Sequence, residues 1–170
     1  FKVHDLIDTN GPESITHLKV NGAKRIWVDH KIHDTKDTVS LRVKGLIKNG
    51  ADIITVHASG GVEMMQAAVA ASKELDPAEI WAVTVLTSLN DNEIARIYGS
   101  DRSREEIIIE FAKMAKEAGI KKVVCSALEV RMLSVHPDLK GLQFVVPGTR
   151  SEGVALGQQK RSATPKEAKD

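Results

Sequence analysis

The sequence predicts an α/β fold built on parallel strands, and three observations point to it. Short apolar, β-branched runs recur along the chain, helical patterns separate them, and glycines suited to ending a helix sit just before strands. Continuous apolar strands alternating with helices suit a parallel sheet covered by helices, not an antiparallel sheet with one wet face.

The runs are F-K-V-H-D-L-I at 1–7, R-I-W-V-D at 25–29, D-I-I-T-V-H-A at 52–58, I-W-A-V-T-V-L-T at 80–87, K-V-V-C-S at 122–126 and L-Q-F-V-V-P at 142–147. Between them, residues 36–48 carry Val39, Val43, Leu46 and Ile47 on one helical face. Residues 63–75 are rich in strong helix formers. Residues 103–118 open on a serine–glutamate capping pattern and stop at Gly119. A shorter helix is expected from Leu128 to Val135, ended by Pro137. Asn49-Gly50 and Ala118-Gly119 stand where helix C-caps belong. The β-α order fits either a doubly wound open sheet or a (β/α)8 barrel with about six of its eight units present. No G-x-G-x-x-G follows the first strand, which weakens a dinucleotide-binding sheet. Polar residues gather at the C-terminal ends of strands: Asp29 and Lys31, His57, Thr87 and Ser88, Ser126, then Gly148 to Arg150. Both architectures bind ligands there.

At 170 residues the chain is long enough for one domain, expected to span 1–170. Its 24 basic residues balance 23 acidic ones, giving a net charge of +1 and no bulk reason to expect nucleic acid or an anionic membrane as partner. No apolar run approaches the ~20 residues of a membrane span, and the first residues lack a signal-peptide pattern. Cys125 is the single cysteine, so a reducing cytoplasm is the expected compartment.

One stretch stands out, D-H-K-I-H-D at 29–34, directly after an apolar strand. Side chains two apart share a strand face, roughly 6–7 Å apart, so Asp29 and Lys31 can enter one pocket. Lys2 and His4 form a similar pair on the first strand, whereas Asp34 has the opposite parity. A solvated loop, a metal site and a charged catalytic cluster all compete. A zinc site built on His30, His33 and an aspartate lacks the Cys pair or H-E-x-x-H spacing that would accompany it.

D-H-K-I-H-D-T-K-D-T-V resembles the D-x-K-x-x-D-x-x-x-T segment of orotidine 5′-monophosphate decarboxylases. So do F-K-V-H, I-T-V-H-A-S-G-G, T-V-L-T-S-L, V-V-C-S-A-L-E-V and P-G-T-R-S-E-G-V-A-L-G-Q-Q-K-R, in the family's order. The resemblance implies a (β/α)8 TIM barrel, acting as a homodimer without metal or organic cofactor. It implies conversion of orotidine 5′-monophosphate to uridine 5′-monophosphate and carbon dioxide, in pyrimidine biosynthesis. By motif match, Lys2, Asp29, Lys31 and Asp34 would form the alternating Lys–Asp–Lys–Asp network, with Lys31 stabilising and then protonating the C6 carbanion. Asp34 and Thr38 would serve the neighbouring subunit's site. Ser88 would hydrogen-bond the pyrimidine, and Gln158, assisted by Arg150, would bind the phosphate. The polar stretches 89–101 and 149–161 would be candidate closing loops.

Other residues carry blander expectations. His57 is read as structural, Cys125 as a small core residue, and Trp27 and Trp81 as core or helix–sheet packing. The family's first strand, with a nucleotide-contacting aspartate, and its eighth, with a phosphate-gripping arginine, have no match here. Val146 replaces the threonine usual before P-G. The 170 residues are therefore expected to be part of a longer protein, or else an impaired remnant that binds phosphate ligands. A magnesium-dependent keto-sugar-phosphate relative, such as a 3-keto-gulonate-6-phosphate decarboxylase or hexulose-phosphate synthase, is the enzymatic alternative; Thr38, T-V-L-T-S and A-L-G-Q-Q speak against it.

Overall fold

The computed structural model describes residues 1–75, 78–99 and 101–147. Strands β1 (Lys2–Val3), β2 (Trp27–Ile32), β3 (Ile53–His57), β4 (Glu79–Val83), β5 (Lys122–Val124) and β6 (Gln143–Val145) form one sheet in strictly sequential order. Every neighbouring pair is parallel. The connections hold helices α1 (Asp5–Asn10), α2 (Glu13–Val20), α3 (Lys36–Lys48), α4 (Val62–Lys73), α5 (Asp91–Tyr98), α6 (Arg104–Glu117) and α7 (Ala127–Val135).

Sequential order decides between the two architectures the sequence left open. A doubly wound sheet reverses its strand order at a switch point, which places helices on both faces. This sheet never reverses, so its helices gather on one side. Val28, Ile32, Ile54, Val56, Ile80, Ala82 and Val123 share a core with helix residues that include Val39, Val43, Met65, Ala68, Ile108 and Ala112. Full burial of each such valine or isoleucine contributes about 1.5–3 kcal/mol. The alternate strand residues Ile53, Trp81, Val83 and Val124 form a separate cluster, packed by Trp27, Leu86 and Val145. Among the described residues no helix residue enters that second cluster. Helices outside and strand side chains alone inside is the arrangement of a β/α-barrel wall.

Trp27 and Trp81 lie on the helix-free face, with ring centroids 4.8 Å apart. This removes the helix–sheet alternative expected for them. The capping box expected at Ser103 and Glu106 is present. Gly50 and Gly119 turn the chain after α3 and α6 with φ of 99° and 85°, a backbone region that favours glycine.

Three sequence expectations shift. The run 1–7 is a strand only at Lys2–Val3, because Asp5 and Asp8 favour the first turn of α1, where helix amides point outward. His4 therefore leaves the strand and precedes α1, breaking the expected Lys2–His4 pair. The run 80–87 is strand only as far as Val83; beyond it Leu89 N–H donates to Leu86 O at 3.1 Å and closes a turn. Residues 89–101, expected to be a loop, contain α5, which Asn90 and Glu93 start with their own capping box. Ile94 anchors that helix in the core. Residues 149–161, the other expected loop, lie outside the described residues.

At the N-terminal ends of the strands Glu79 organises the charge. Its carboxylate accepts from Arg25 at 2.7 Å, Lys122 at 2.7 Å and the Trp81 indole at 2.9 Å. Burial pushes the Glu79 carboxyl up, but hydrogen bonds from Lys122, Trp81 and Arg25 outweigh it and hold its pKa at about 2, against an ordinary 4.5. A depressed carboxyl stabilises the fold above its unfolded pKa and loses that contribution as pH falls through the folded one. Denaturant unfolding should therefore show stability dropping between pH 4.5 and about 2. Glu79→Gln should flatten that drop and cost about 1 kcal/mol at pH 7, a figure discounted for the group's exposure.

Candidate active site

The opposite end of the sheet gathers the expected charges. Val3, Val28, Ile32, Ile54 and Val56 turn toward the helices. Strand alternation therefore sends Lys2, Asp29, Lys31, Thr55 and His57 to the helix-free face. The register Val3↔Val28 and Val28↔Ile54 sets these residues side by side at the C-terminal ends of three adjacent strands.

Asp29 is the centre. It is only 4 % exposed. One carboxylate oxygen, Oδ2, accepts from Lys2 Nζ at 2.8 Å and lies 3.0 Å from Lys31 Nζ. The other, Oδ1, accepts from the Thr55 hydroxyl at 3.0 Å. Burial alone would raise the Asp29 carboxyl, but the two lysine ammoniums outweigh it and hold its pKa below the usual carboxylate range. The carboxylate is thus an anion, fully partnered, with a cation on either side. Lys2 Nζ also stands 5.5 Å from the centroid of the Trp27 ring, so the tryptophan pair forms an apolar floor beneath the charges.

Lys31 is reached by an irregular strand. Val28 opposes Ile54 and Ile32 opposes Val56, so residues 29–31 face Thr55 alone. Within this bulge Lys31 adopts φ 48°, the single non-glycine with positive φ among the described residues. A non-glycine residue there costs on the order of 1 kcal/mol, and such strain clusters at functional sites. The bulge re-aims the side chain onto Asp29 while leaving it 29 % exposed to the open side of the sheet.

Three members of the expected four-residue network meet within the chain. Asp34 does not join them. It is exposed beyond β2, and its Oδ1 accepts from the Thr35 N–H at 2.7 Å. Thr38 lies in the first turn of α3, its hydroxyl 3.0 Å from that of Thr35. Ser88 is exposed in the turn after β4. Arg150 and Gln158 lie outside the described residues.

His57 ends β3 with its ring centroid 5.8 Å from that of His33. Burial, the nearby His33 and the Lys31 ammonium press its pKa down to about 4. It is therefore neutral at physiological pH and adds no charge to the site. Cys125 is buried, and burial together with nearby Glu129 pushes its thiol up to about 12, which fits the expected inert core residue. Among the described residues no group of three or more His, Cys, Asp or Glu side chains converges to hold a metal ion. No helix among them is long and apolar enough to cross a membrane.

Thr55 is the site residue the sequence reading passed over. In D-I-I-T-V-H-A it looks like one more β-branched strand residue. Its parity with His57, opposite to Ile54 and Val56, was the available signal.

A cavity of about 560 Å³, lined by residues that include Lys73, Glu79, Trp81, Lys122 and Gln143, opens at the other end of the sheet. There Glu79 is paired with Lys122 at 2.7 Å, while the Asp29 cluster lies at the opposite strand ends.

The chain is similar to known proteins over most of its length. An Idiomarina loihiensis protein named orotidine 5′-phosphate decarboxylase is 41% identical over 96% of this chain and 70% of its own length. A Streptococcus pneumoniae protein of the same name is 41% identical over 93% of this chain and 66% of its own length. The chain thus spans about two thirds of the length of these relatives. The crystal structure of orotidine 5′-phosphate decarboxylase from Lactobacillus acidophilus superposes with a TM-score of 0.81 at 32% identity, covering 99% of this chain and 72% of that one. The profile of the orotidine 5′-phosphate decarboxylase / HUMPS family matches residues 1–170, and the chain belongs to that family.

Proposed function

We propose that this chain carries the reaction face of an orotidine 5′-monophosphate decarboxylase, within one partial barrel domain spanning 1–170. The observation that carries the reading is a buried aspartate clamped between two lysines, one of them on a strained bulge facing the open side of the sheet. Relatives that bear the decarboxylase name at 41% identity favour it over a magnesium-dependent sugar-phosphate chemistry.

Breaking the bond between C6 and the carboxyl carbon releases carbon dioxide and leaves the electron pair on C6. No adjacent group of the ring can delocalise that pair. The required stabilisation then comes from charges fixed in advance, which do not reorganise as the bond breaks. The Lys31 ammonium faces the developing carbanion, then transfers a proton to C6 and gives uridine 5′-monophosphate. Water later returns a proton to the amine. Asp29, held anionic by Lys2 and Lys31, fixes the direction of the Lys31 ammonium and flanks the departing carboxylate. Lys2 keeps Asp29 in place.

The remaining roles complete the proposal. Ser88 hydrogen-bonds the pyrimidine, while Gln158 and Arg150 hold the phosphate, whose binding energy is available for closing the site. Asp34 and Thr38 act on the site of a second copy. The exposed position of Asp34 and its separation from the Asp29 cluster support that sharing.

Replacing Lys31 with alanine in the full-length protein should lower kcat by at least ~1,000-fold, about 4 kcal/mol of barrier. The fold should persist, because Asp29 keeps Lys2 and Thr55 as partners. Steady-state kinetics beside circular dichroism checks this, and a loss under tenfold removes Lys31 from the chemistry. Mixed dimers with Asp34→Ala in one subunit and Lys31→Ala in the other should regain one working site per dimer. An inactive mixture would show that the two residues serve the same subunit.

A further inference from the structure

The structure assigns Thr55 as a positioning residue: one buried hydroxyl fixes both the Asp29 carboxylate and the strained Lys31 backbone, and so sets where the Lys31 amine stands. This rests on the decarboxylase reading for its kinetic consequence and on geometry alone for the rest.

Thr55 is fully buried in the middle of β3. It stands opposite the bulge, where residues 29–31 have no other strand partner. A hydroxyl has one proton to give and lone pairs to receive with. Here the Lys31 backbone N–H donates to Thr55 Oγ1 at 3.0 Å. The hydroxyl proton goes to Asp29 Oδ1 at 3.0 Å. Val28 O also lies within reach, at 3.5 Å. The carboxylate wins that proton, being both nearer and charged.

Two consequences follow. First, without Thr55 the part-buried Lys31 amide would lose this partner, at the residue whose backbone is already strained. Second, Asp29 is fixed at both oxygens: the lysines hold Oδ2 and Thr55 holds Oδ1, so the carboxylate plane cannot rotate. Since Lys31 Nζ is aimed by that same carboxylate, the hydroxyl acts on the amine from two directions, through the backbone behind it and the anion in front. Thr55 need touch no substrate to do this.

The test compares Thr55→Val, which keeps the shape and deletes the hydroxyl, with Thr55→Ser, which keeps the hydroxyl and deletes a methyl. In the full-length protein, Thr55→Val should lower kcat with orotidine 5′-monophosphate by about tenfold or more with KM little changed, since a small misplacement of the reacting group acts on the chemical step. Thr55→Ser should stay within about threefold of the parent kcat. A carboxyl NMR titration should show the Asp29 midpoint rising in Thr55→Val and not in Thr55→Ser. Parent-like kcat and Asp29 titration in Thr55→Val would overturn the assignment. So would equal impairment in both variants, which would make the role one of packing. The titration needs no turnover, so an inactive parent protein would overturn the decarboxylase reading while Thr55 is still decided.

Discussion

A carboxylate as deeply buried as that of Asp29 survives as an anion only if its charge is matched on the spot. An isolated ion in such surroundings would take up a proton rather than stay charged. Lys2 and Lys31 supply the match at 2.8 and 3.0 Å, and much of the local architecture serves that arrangement. The adjacency of β1 and β2 brings Lys2 across. The bulge in β2 brings Lys31 back toward a residue two positions earlier. The Trp27–Trp81 pair packs beside the cluster, with Lys2 Nζ 5.5 Å from the Trp27 ring centroid. Breaking a pair of this kind by removing one partner is far more damaging than its net contribution suggests, because the remaining charge is left buried. The triad of Lys2, Asp29 and Lys31 is therefore better understood as a device for orientation than as a source of stability.

The fold was legible where periodicity was strong. Val39, Val43, Leu46 and Ile47 placed α3, and the serine–glutamate pair placed the start of α6. Strand number and parallel sense followed from apolar runs separated by helices. What sequence could not decide was open sheet against barrel wall, because both obey the same β-α grammar. The strand order decided it, and strand order depends on which edges meet in space. Short polar helices were the other blind spot. α1 and α2 each bury a single apolar residue, Ile7 and Ile15, so their period is faint, while α5 is only eight residues long and declares itself mainly through the Asn90–Glu93 cap.

The site was legible for a different reason. Strand parity alone put Asp29 and Lys31 on one face and set Asp34 apart, as observed. The motif resemblance extended this to Lys2, twenty-seven residues away in sequence from its partner. Thr55 was legible only by its parity with His57, since a threonine in a β-branched run carries no mark of what its hydroxyl meets. The left-handed backbone at Lys31 was not legible: no local signal such as glycine or asparagine announces it, and the bulge exists only relative to β3.

That backbone has a consequence for how position 31 can evolve. Glycine would relax the backbone by on the order of 1 kcal/mol, but it would also remove one of the two cations that match the buried Asp29 carboxylate. The strained backbone is therefore tied to the buried charge: the amine that requires it is also a partner of Asp29. A lineage freed from the need for turnover would relax this backbone without penalty only if it replaced Asp29 as well.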